Sequence, residues 1–224
     1  MSALFSPLVE QAIELAAEWH DGTYRKGRWR DTICAPPDAG VARVPTMAHV
    51  TTVALTVDRA GWDEHAVAAA FLHDALEDAD RWHRALDRDV LAARVGETVV
   101  RIIEAVSEPQ HDVEGVRLPW RVRKEAYLAS LSSGPVEASA VALADKLHNA
   151  YSIASSLEAG VDVFRAAPGR QALSAGLEAQ LWFLHAAVEA TEHHADVRLA
   201  PMRIRVREEI QRLERALPPA SERG

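Results

Sequence analysis

A run of small and large apolar residues leads directly into four ionisable side chains, His73, Asp74, Glu77 and Asp78. The periodicity predicts one helix over residues 63–78, and at about 100° per residue all four side chains fall within a single arc. Burying carboxylates beside so apolar a helix costs several kcal/mol each unless a cation compensates them. A divalent metal is the simplest compensator. The alternative, a solvated polar helix end, must also account for Glu77 and Asp78.

The remaining pattern is helical almost throughout, and it contains no hairpin signal flanked by alternating residues. The sequence therefore predicts an all-α fold, a helical bundle with a metal site between its core helices. We expect a single domain over residues 1–224, with a metal-binding core over about 8–155 and C-terminal helices over about 161–217. Besides residues 63–78, the predicted helices are one that begins at Ser6-Pro7, then 47–61, about 99–106, 119–131, one carrying 141–150, 170–195 and 201–217.

Two further segments carry polar residues in helical surroundings. Asp145 follows Ala-Val-Ala-Leu-Ala, and Asn149 lies one turn later on the same helix face. His49 falls early in another predicted helix. Taken singly, each could be an ordinary surface residue. Together with His73 and Asp74, His49 and Asp145 make a set of two histidines and two aspartates, which suits Mn, Fe, Co or Zn better than Ca.

Glu77 and Asp78 are left over as carboxylates beside this set. Crowding of like charges should raise the pKa of one of them. A metal that activates water, one carboxylate that orients the water and another that passes protons are the parts needed for hydrolysis. Glu77 and Asp78 are therefore the candidate catalytic residues.

Two basic runs stand out in a chain of net charge −8. Residues 25–30 hold four basic side chains, which fit a phosphate ligand or simply a solvated loop. Residues 121–124 hold three, which could bind phosphate or balance the acidic surface. The stretch between Arg25 and Thr46 has no clear period, and it is either a functional lid or a tolerated surface insertion.

Composition narrows the class of protein further. The acidic balance argues against a partner that is nucleic acid or an anionic membrane. No apolar run approaches the roughly 18 residues that a membrane span needs, and the N-terminus lacks the basic segment of a signal peptide. The single cysteine, Cys34, cannot form an intrachain disulfide. We therefore expect a cytoplasmic location.

The order His49, His73-Asp74, Asp145 resembles that of the HD-domain metal-dependent phosphohydrolases. Three blocks, Arg25-Lys26-Gly27, His73-Asp-Ala-Leu-Glu-Asp78 and Ala144-Asp-Lys-Leu-His-Asn149, are similar to the (p)ppGpp hydrolase domain of Rel/Spo homologues and small alarmone hydrolases. The resemblance covers roughly residues 8–155.

The resemblance implies a role for each residue of these blocks. His49, His73, Asp74 and Asp145 would hold Mn²⁺, and Glu77 and Asp78 would position and activate the attacking water. Arg25 and Lys26 would line the nucleotide pocket, and Asn149 would contact the substrate. The implied reaction removes the 3′-pyrophosphate of guanosine tetra- or pentaphosphate.

Three other functions remain open. Thr46 stands where that family usually has a tyrosine, and the gap from Lys26 to His49 is about twice the expected one, so another nucleotide could be the substrate. A non-catalytic nucleotide-binding module would not need the surplus carboxylates. A di-metal HD oxygenase would need more histidines before Asp145, where the sequence has His83 and His111 in predicted loops.

Overall fold

The structure is a computed structural model, and it describes residues 4–29, 43–166 and 171–216. Within these residues the fold is all-α, with nine helices and one two-stranded sheet. The elements are α1 (Pro7–Trp19), β1 (Tyr24–Trp29), β2 (Arg43–Pro45), α2 (Thr46–Arg59), α3 (Glu64–Leu72), α4 (Arg88–Val95), α5 (Glu97–Ala105), α6 (Trp120–Ser133), α7 (Val136–Glu158), α8 (Leu177–Ala190) and α9 (Leu199–Arg215).

Helix α7 is the axis of the bundle. It contacts α2, α3, α5, α6, α8 and α9 as well as β1, and residues 138–146 are buried without interruption. Helix α3 is the second central element, because every residue from Ala66 to Leu72 is buried. The buried apolar side chains form one cluster that extends from Ala12 in α1 to Leu213 in α9. A polar residue on α7 or at the end of α3 therefore enters a low-dielectric interior.

The predicted helix over residues 63–78 is wrong at its C-terminal end. Asp63 caps α3 by accepting a hydrogen bond from the Ala66 backbone N–H, but the helix ends at Leu72 with His73 as its C-cap. The next residues form tight turns, in which the Ala75 N–H donates to the Leu72 carbonyl group. The ionisable residues converge by this change of direction and not by sharing an arc of one helix.

Other helix boundaries also differ from the prediction. The segment predicted over 141–150 is the middle of the 23-residue helix α7. The segment predicted over 170–195 is helical from Leu177 to Ala190. Helix α4 was not predicted, although Asp87 caps it clearly by accepting from two backbone N–H groups. Gly61 has a φ of +81° just after α2, a left-handed conformation that glycine adopts without strain.

The small antiparallel sheet was also missed from the sequence. Tyr24 pairs with Pro45 and Trp29 with Arg43, with an irregular register between them. The sequence shows no tight turn because the two strands are separated by residues 30–42. That segment, with Cys34, lies outside the described residues, so the lid and surface-insertion interpretations both stay predictions.

Within residues 4–29, 43–166 and 171–216, none of the helices combines the length and the apolar character needed to cross a bilayer.

Candidate metal centre

Four predicted ligand residues meet at the end of α3. His49 lies in the first turn of α2, His73 caps α3, Asp74 follows it, and Asp145 lies in the middle of α7. The His49 Nε2 atom lies 3.2 Å from Asp145 Oδ1 and 3.6 Å from Asp74 Oδ2. The His73 Nε2 atom lies 3.2 Å from Asp74 Oδ1 and 3.7 Å from Asp145 Oδ1. Ligand atoms from three separate elements thus face one point.

Both histidines are oriented through their other ring nitrogen. His73 Nδ1 lies 2.8 Å from the Ala70 carbonyl oxygen, so this nitrogen carries the hydrogen and donates it. His49 Nδ1 lies 2.7 Å from Nδ1 of His148. If His49 Nε2 keeps its lone pair, Nδ1 is the donor and His148 the acceptor. Ligating histidines are commonly fixed by a hydrogen bond of this kind.

The residues present fit a divalent cation. His49 and His73 are 0% and 3% exposed, and their Nε2 atoms have no hydrogen-bond partner among the described residues. One ligand atom each of His49, His73 and Asp74 lie within 4.8 Å of one another. Buried acceptors without a partner are costly, and a cation between them would satisfy the nitrogens and offset both carboxylates.

The pKa values of the two histidines also indicate that the two carboxylates attract a positive charge to this point. Burial lowers the pKa of His49 to about 3, and the Arg25 charge adds to the effect. Burial also acts downward on His73, but the Asp74 and Asp145 carboxylates outweigh it and raise its pKa to about 9. In the absence of a cation the carboxylates therefore keep His73 in its doubly protonated, positively charged form, whereas His49 stays neutral.

Both carboxylate oxygens of Asp145 have a partner on α7. Burial would raise the pKa of its carboxyl group, but the Lys146 ammonium and the two histidines keep this pKa well below its usual range. Lys146 Nζ lies 2.5 Å from Asp145 Oδ2, and Asn149 Nδ2 donates to Oδ1 at 2.7 Å. The carboxylate is thereby fixed with Oδ1 toward the histidines.

Of the three candidate substrate residues, the structure places the side chains of Arg25 and Asn149 beside the metal centre. Arg25 donates to the side-chain oxygen of Asn149, and its Nη1 lies 4.0 Å from Asp74 Oδ2. Asn149, expected to contact the substrate, thus bridges Arg25 and Asp145 here. Lys26 lies in β1, but its side chain is outside the description.

Glu77 and Asp78 lie in the turns after α3, and both line the same cavity as Asp74. The Glu108 backbone N–H donates to Glu77 Oε1 at 2.8 Å. Burial raises the pKa of Glu77 to about 8, with the Asp74 and Glu108 carboxylates adding to the shift. Like-charge crowding, expected from the sequence, is therefore the smaller cause. The Asp78 carbonyl group accepts a hydrogen bond from Trp19 Nε1.

The cavity beside these ligands has a volume of about 280 Å³. Its lining comes from β1, the start of α2, the residues around the end of α3, and α7. Helices α6 and α8 also line it and contribute Lys124, Tyr127, Gln180 and Phe183. Sequence reasoning named none of these four as site residues individually.

Two other contributors were missed for different reasons. His148 lies within the block over Ala144–Asn149, but nothing in the sequence pairs it with a histidine 99 positions earlier. In the sequence, a lysine next to Asp145 is typical of an exposed helix face, yet Lys146 is only 6% exposed. Its ammonium group lies over the rings of Tyr127 and Phe183 at 4.6 and 4.9 Å.

Comparisons with known proteins agree with this architecture. Among solved structures, a metazoan SpoT ortholog that hydrolyses ppGpp and acts in starvation responses has 21% identity and a TM-score of 0.61, covering 96% of this chain and 100% of its own. The protein lmo0812 from Listeria monocytogenes EGD-e has 24% identity and a TM-score of 0.59, covering 75% and 97%. A search of curated protein sequences finds no match.

The sequence profile of the HD domain matches residues 34–167, which is more than half of the chain. The matched stretch includes His49, His73, Asp74 and Asp145. The cavity residues outside it belong to β1, earlier in the chain, and to α8 and the segment just before α8, later in the chain. The chain therefore belongs to the HD domain family of metal-dependent hydrolases.

Proposed function

We propose that this chain is a metal-dependent phosphohydrolase that removes the 3′-pyrophosphate of guanosine tetra- or pentaphosphate. The observation that carries the proposal is the convergence of four ligand residues beside a cavity that also holds Glu77, Asp78 and Arg25. The fold shared with a metazoan SpoT ortholog that hydrolyses ppGpp supports the choice of substrate.

His49, His73, Asp74 and Asp145 would hold one divalent ion, which we propose to be Mn²⁺, with Fe, Co and Zn as the ions to compare. Mixed nitrogen and oxygen donors suit these ions. When bound, the ion supplies the positive charge that polarises the phosphoryl group and makes water a better nucleophile.

The remaining chemistry is assigned to side chains of the cavity. Arg25 presents a guanidinium group at the wall, where it suits a phosphate oxygen. In the reaction, the oxygen of water bonds to phosphorus, and the bond between phosphorus and the nucleoside oxygen breaks. Asp78 would accept the proton that the water loses. Burial raises the pKa of Glu77 to about 8 in the metal-free chain, and its carboxyl group would donate a proton to the departing oxygen.

Thr46 favours a second candidate substrate, a different nucleotide. This side chain is buried and lines the cavity at the position where the Rel/Spo pattern has a tyrosine. A smaller residue leaves room for a different base or sugar at this wall. The chemistry of the phosphoryl group would be unchanged, because the residues assigned to it are the same.

The test is a substrate screen with the purified, Mn²⁺-loaded chain. The panel holds ppGpp, pppGpp, NADPH, deoxynucleoside triphosphates and cyclic dinucleotides, and products are separated by anion-exchange chromatography. The proposal expects GDP or GTP and pyrophosphate from the first two. Turnover of another panel member alone would support the second candidate. Tight binding of a nucleotide without turnover of any would identify a binding module and refute the hydrolase.

A pair of matched variants checks that any turnover belongs to this site. Asp74→Asn removes a ligand charge and should abolish both metal retention and activity. Asp89→Asn makes the same chemical change on α4, where the side chain is 90% exposed, and should leave both intact. Equal metal content in the two variants by elemental analysis would contradict the ligand assignment.

A further inference from the structure

Two side chains of the basic run over residues 121–124, at the start of α6, pair with a carboxylate that is not a candidate metal ligand. Arg123 Nη1 lies 2.5 Å from Glu108 Oε1, and Lys124 Nζ lies 3.0 Å from Glu108 Oε2. The side chains of Arg123 and Glu108 are each 7% exposed. Arg121, in contrast, pairs with Glu125 on the surface of the same helix. Two cations of the run are therefore committed to one buried carboxylate.

Glu108 belongs to an ordered segment between α5 and α6. Gln110 donates to the Glu108 carboxylate at 3.2 Å and accepts from Arg123 at 3.1 Å. Further along, the Leu118 N–H donates to the Gln110 carbonyl group at 3.0 Å. The turn is closed by Asp112, whose side chain accepts from two backbone N–H groups. The backbone at residue 108 is thus fixed by its own side chain and by the segment that follows.

The fixed backbone holds a candidate catalytic group. The Glu108 N–H points at Oε1 of Glu77, 31 positions earlier in the chain, at 2.8 Å. Glu77 follows the end of α3 by five residues and lies in a tight turn, so its own helix cannot orient it. Lys124 and Tyr127 of α6 line the cavity beside it.

We propose that Glu108 is a positioning residue for Glu77: its ion cluster with Arg123 and Lys124 fixes the backbone N–H that orients the Glu77 carboxyl group toward the reacting phosphoryl group. The effect of Glu108 on turnover rests on the proposed hydrolase function. The hydrogen bond itself does not depend on that function. Misplacing a reacting group by about 1 Å can cost on the order of 100-fold in rate.

Kinetics of Glu108→Ala provide the first test. The variant should lower kcat about 10- to 100-fold with KM within twofold and metal content unchanged. Glu108→Gln keeps an oxygen that can accept from Arg123, and should recover a large part of kcat. Glu104→Ala is the matched control, since Glu104 ends α5 on the surface and pairs with Arg88, and it should retain wild-type kcat. A fall in thermal stability without a fall in kcat would overturn the proposal.

A double-mutant comparison asks whether Glu108 acts through Glu77. In the background of Glu77→Gln, the further change Glu108→Ala should lower kcat by less than threefold. Effects that multiply in full would show that Glu108 acts by another route and would overturn the proposal.

An NMR measurement on the metal-free protein separates this inference from the proposed function. The Glu108 amide should be protected from hydrogen exchange, and Glu77→Ala should shift its ¹H–¹⁵N resonance and remove the protection. An unprotected Glu108 amide, or one whose resonance and protection are the same in Glu77→Ala, would refute the inference even if the chain is a hydrolase. A wild-type chain that hydrolyses no nucleotide would refute the proposed function alone.

Discussion

At the scale of single residues, the direction of each histidine is set by its second nitrogen. His73 is tied to the Ala70 carbonyl group within its own helix, whereas His49 is tied to a side chain of α7. The first constraint is local and rigid. The second depends on one side chain, so His49 is the candidate ligand whose orientation is easiest to disturb.

We expect His148→Phe to weaken Mn²⁺ binding about tenfold, because it removes the acceptor of His49 Nδ1 while keeping an aromatic ring. Titration calorimetry with Mn²⁺ would measure the change in Kd. His148→Gln, which retains an acceptor, should bind more tightly than His148→Phe. The control His185→Phe alters a half-exposed histidine that lies near Glu214, and it should bind Mn²⁺ as the wild type does. Equal Kd values for all four proteins would contradict the proposed role of His148.

Metal binding should also release a proton. With a pKa near 9, His73 is protonated at neutral pH in the metal-free protein, and its Nε2 must lose this proton before it can bind a cation. Affinity for Mn²⁺ should therefore rise about tenfold per pH unit between pH 6 and 8. Calorimetry in buffers of different ionisation enthalpy should count about one proton released at pH 7. An affinity independent of pH over this range would exclude competition by this proton.

At the scale of elements, the sequence predicts which residues converge better than it predicts how. In the sequence the helical period continues through Ala75 and Leu76, since both continue the apolar pattern, yet the chain turns after Leu72. The turn is decided by tertiary packing, which a local pattern does not contain. The two-stranded sheet could not be predicted from the sequence for a similar reason, because β2 has three residues and pairs with a strand that a long segment separates from it.

The junction between α6 and α7 gives a prediction at this scale. A Cβ atom on Gly134 would lie 2.7 Å from the Cβ atom of Ala105 in α5 and 3.2 Å from the Ser130 carbonyl oxygen. Gly134→Ala should therefore destabilise the fold by about 1–3 kcal/mol through overpacking, measured by urea unfolding. Gly176→Ala, before α8, meets no atom within 4 Å among the described residues and should be nearly neutral. A neutral Gly134→Ala would mean that α5 can move away without cost.

At the scale of the whole molecule, the site is a set of long-range contacts. The candidate ligand residues can be picked out from the sequence because their types and order are unusual in an apolar setting. The other residues around the site cannot, because each is of a type that is ordinary at its position. Lys146 looks like a surface lysine, Glu108 follows a helix end, and Gln180 lies on a helix far along the chain. Lys146 and Gln180 come together where α7 and α8 line one cavity, and Glu108 is connected to that cavity by its hydrogen bond to Glu77.

Because the candidate ligands come from α2, the end of α3 and α7, we expect a bound ion to stabilise the fold as a whole. A ligand at 100 times its Kd adds about 2.7 kcal/mol, which raises Tm by roughly 5–10 °C in a chain of this size. Differential scanning calorimetry with Mn²⁺ and with a chelator should show this difference in the wild type and in Asp89→Asn. In Asp145→Asn the two Tm values should coincide. A Tm gain retained in Asp145→Asn would contradict the assignment of Asp145 as a ligand, since Asp145 is the candidate ligand that α7 contributes and His49, His73 and Asp74 would then hold the ion without it.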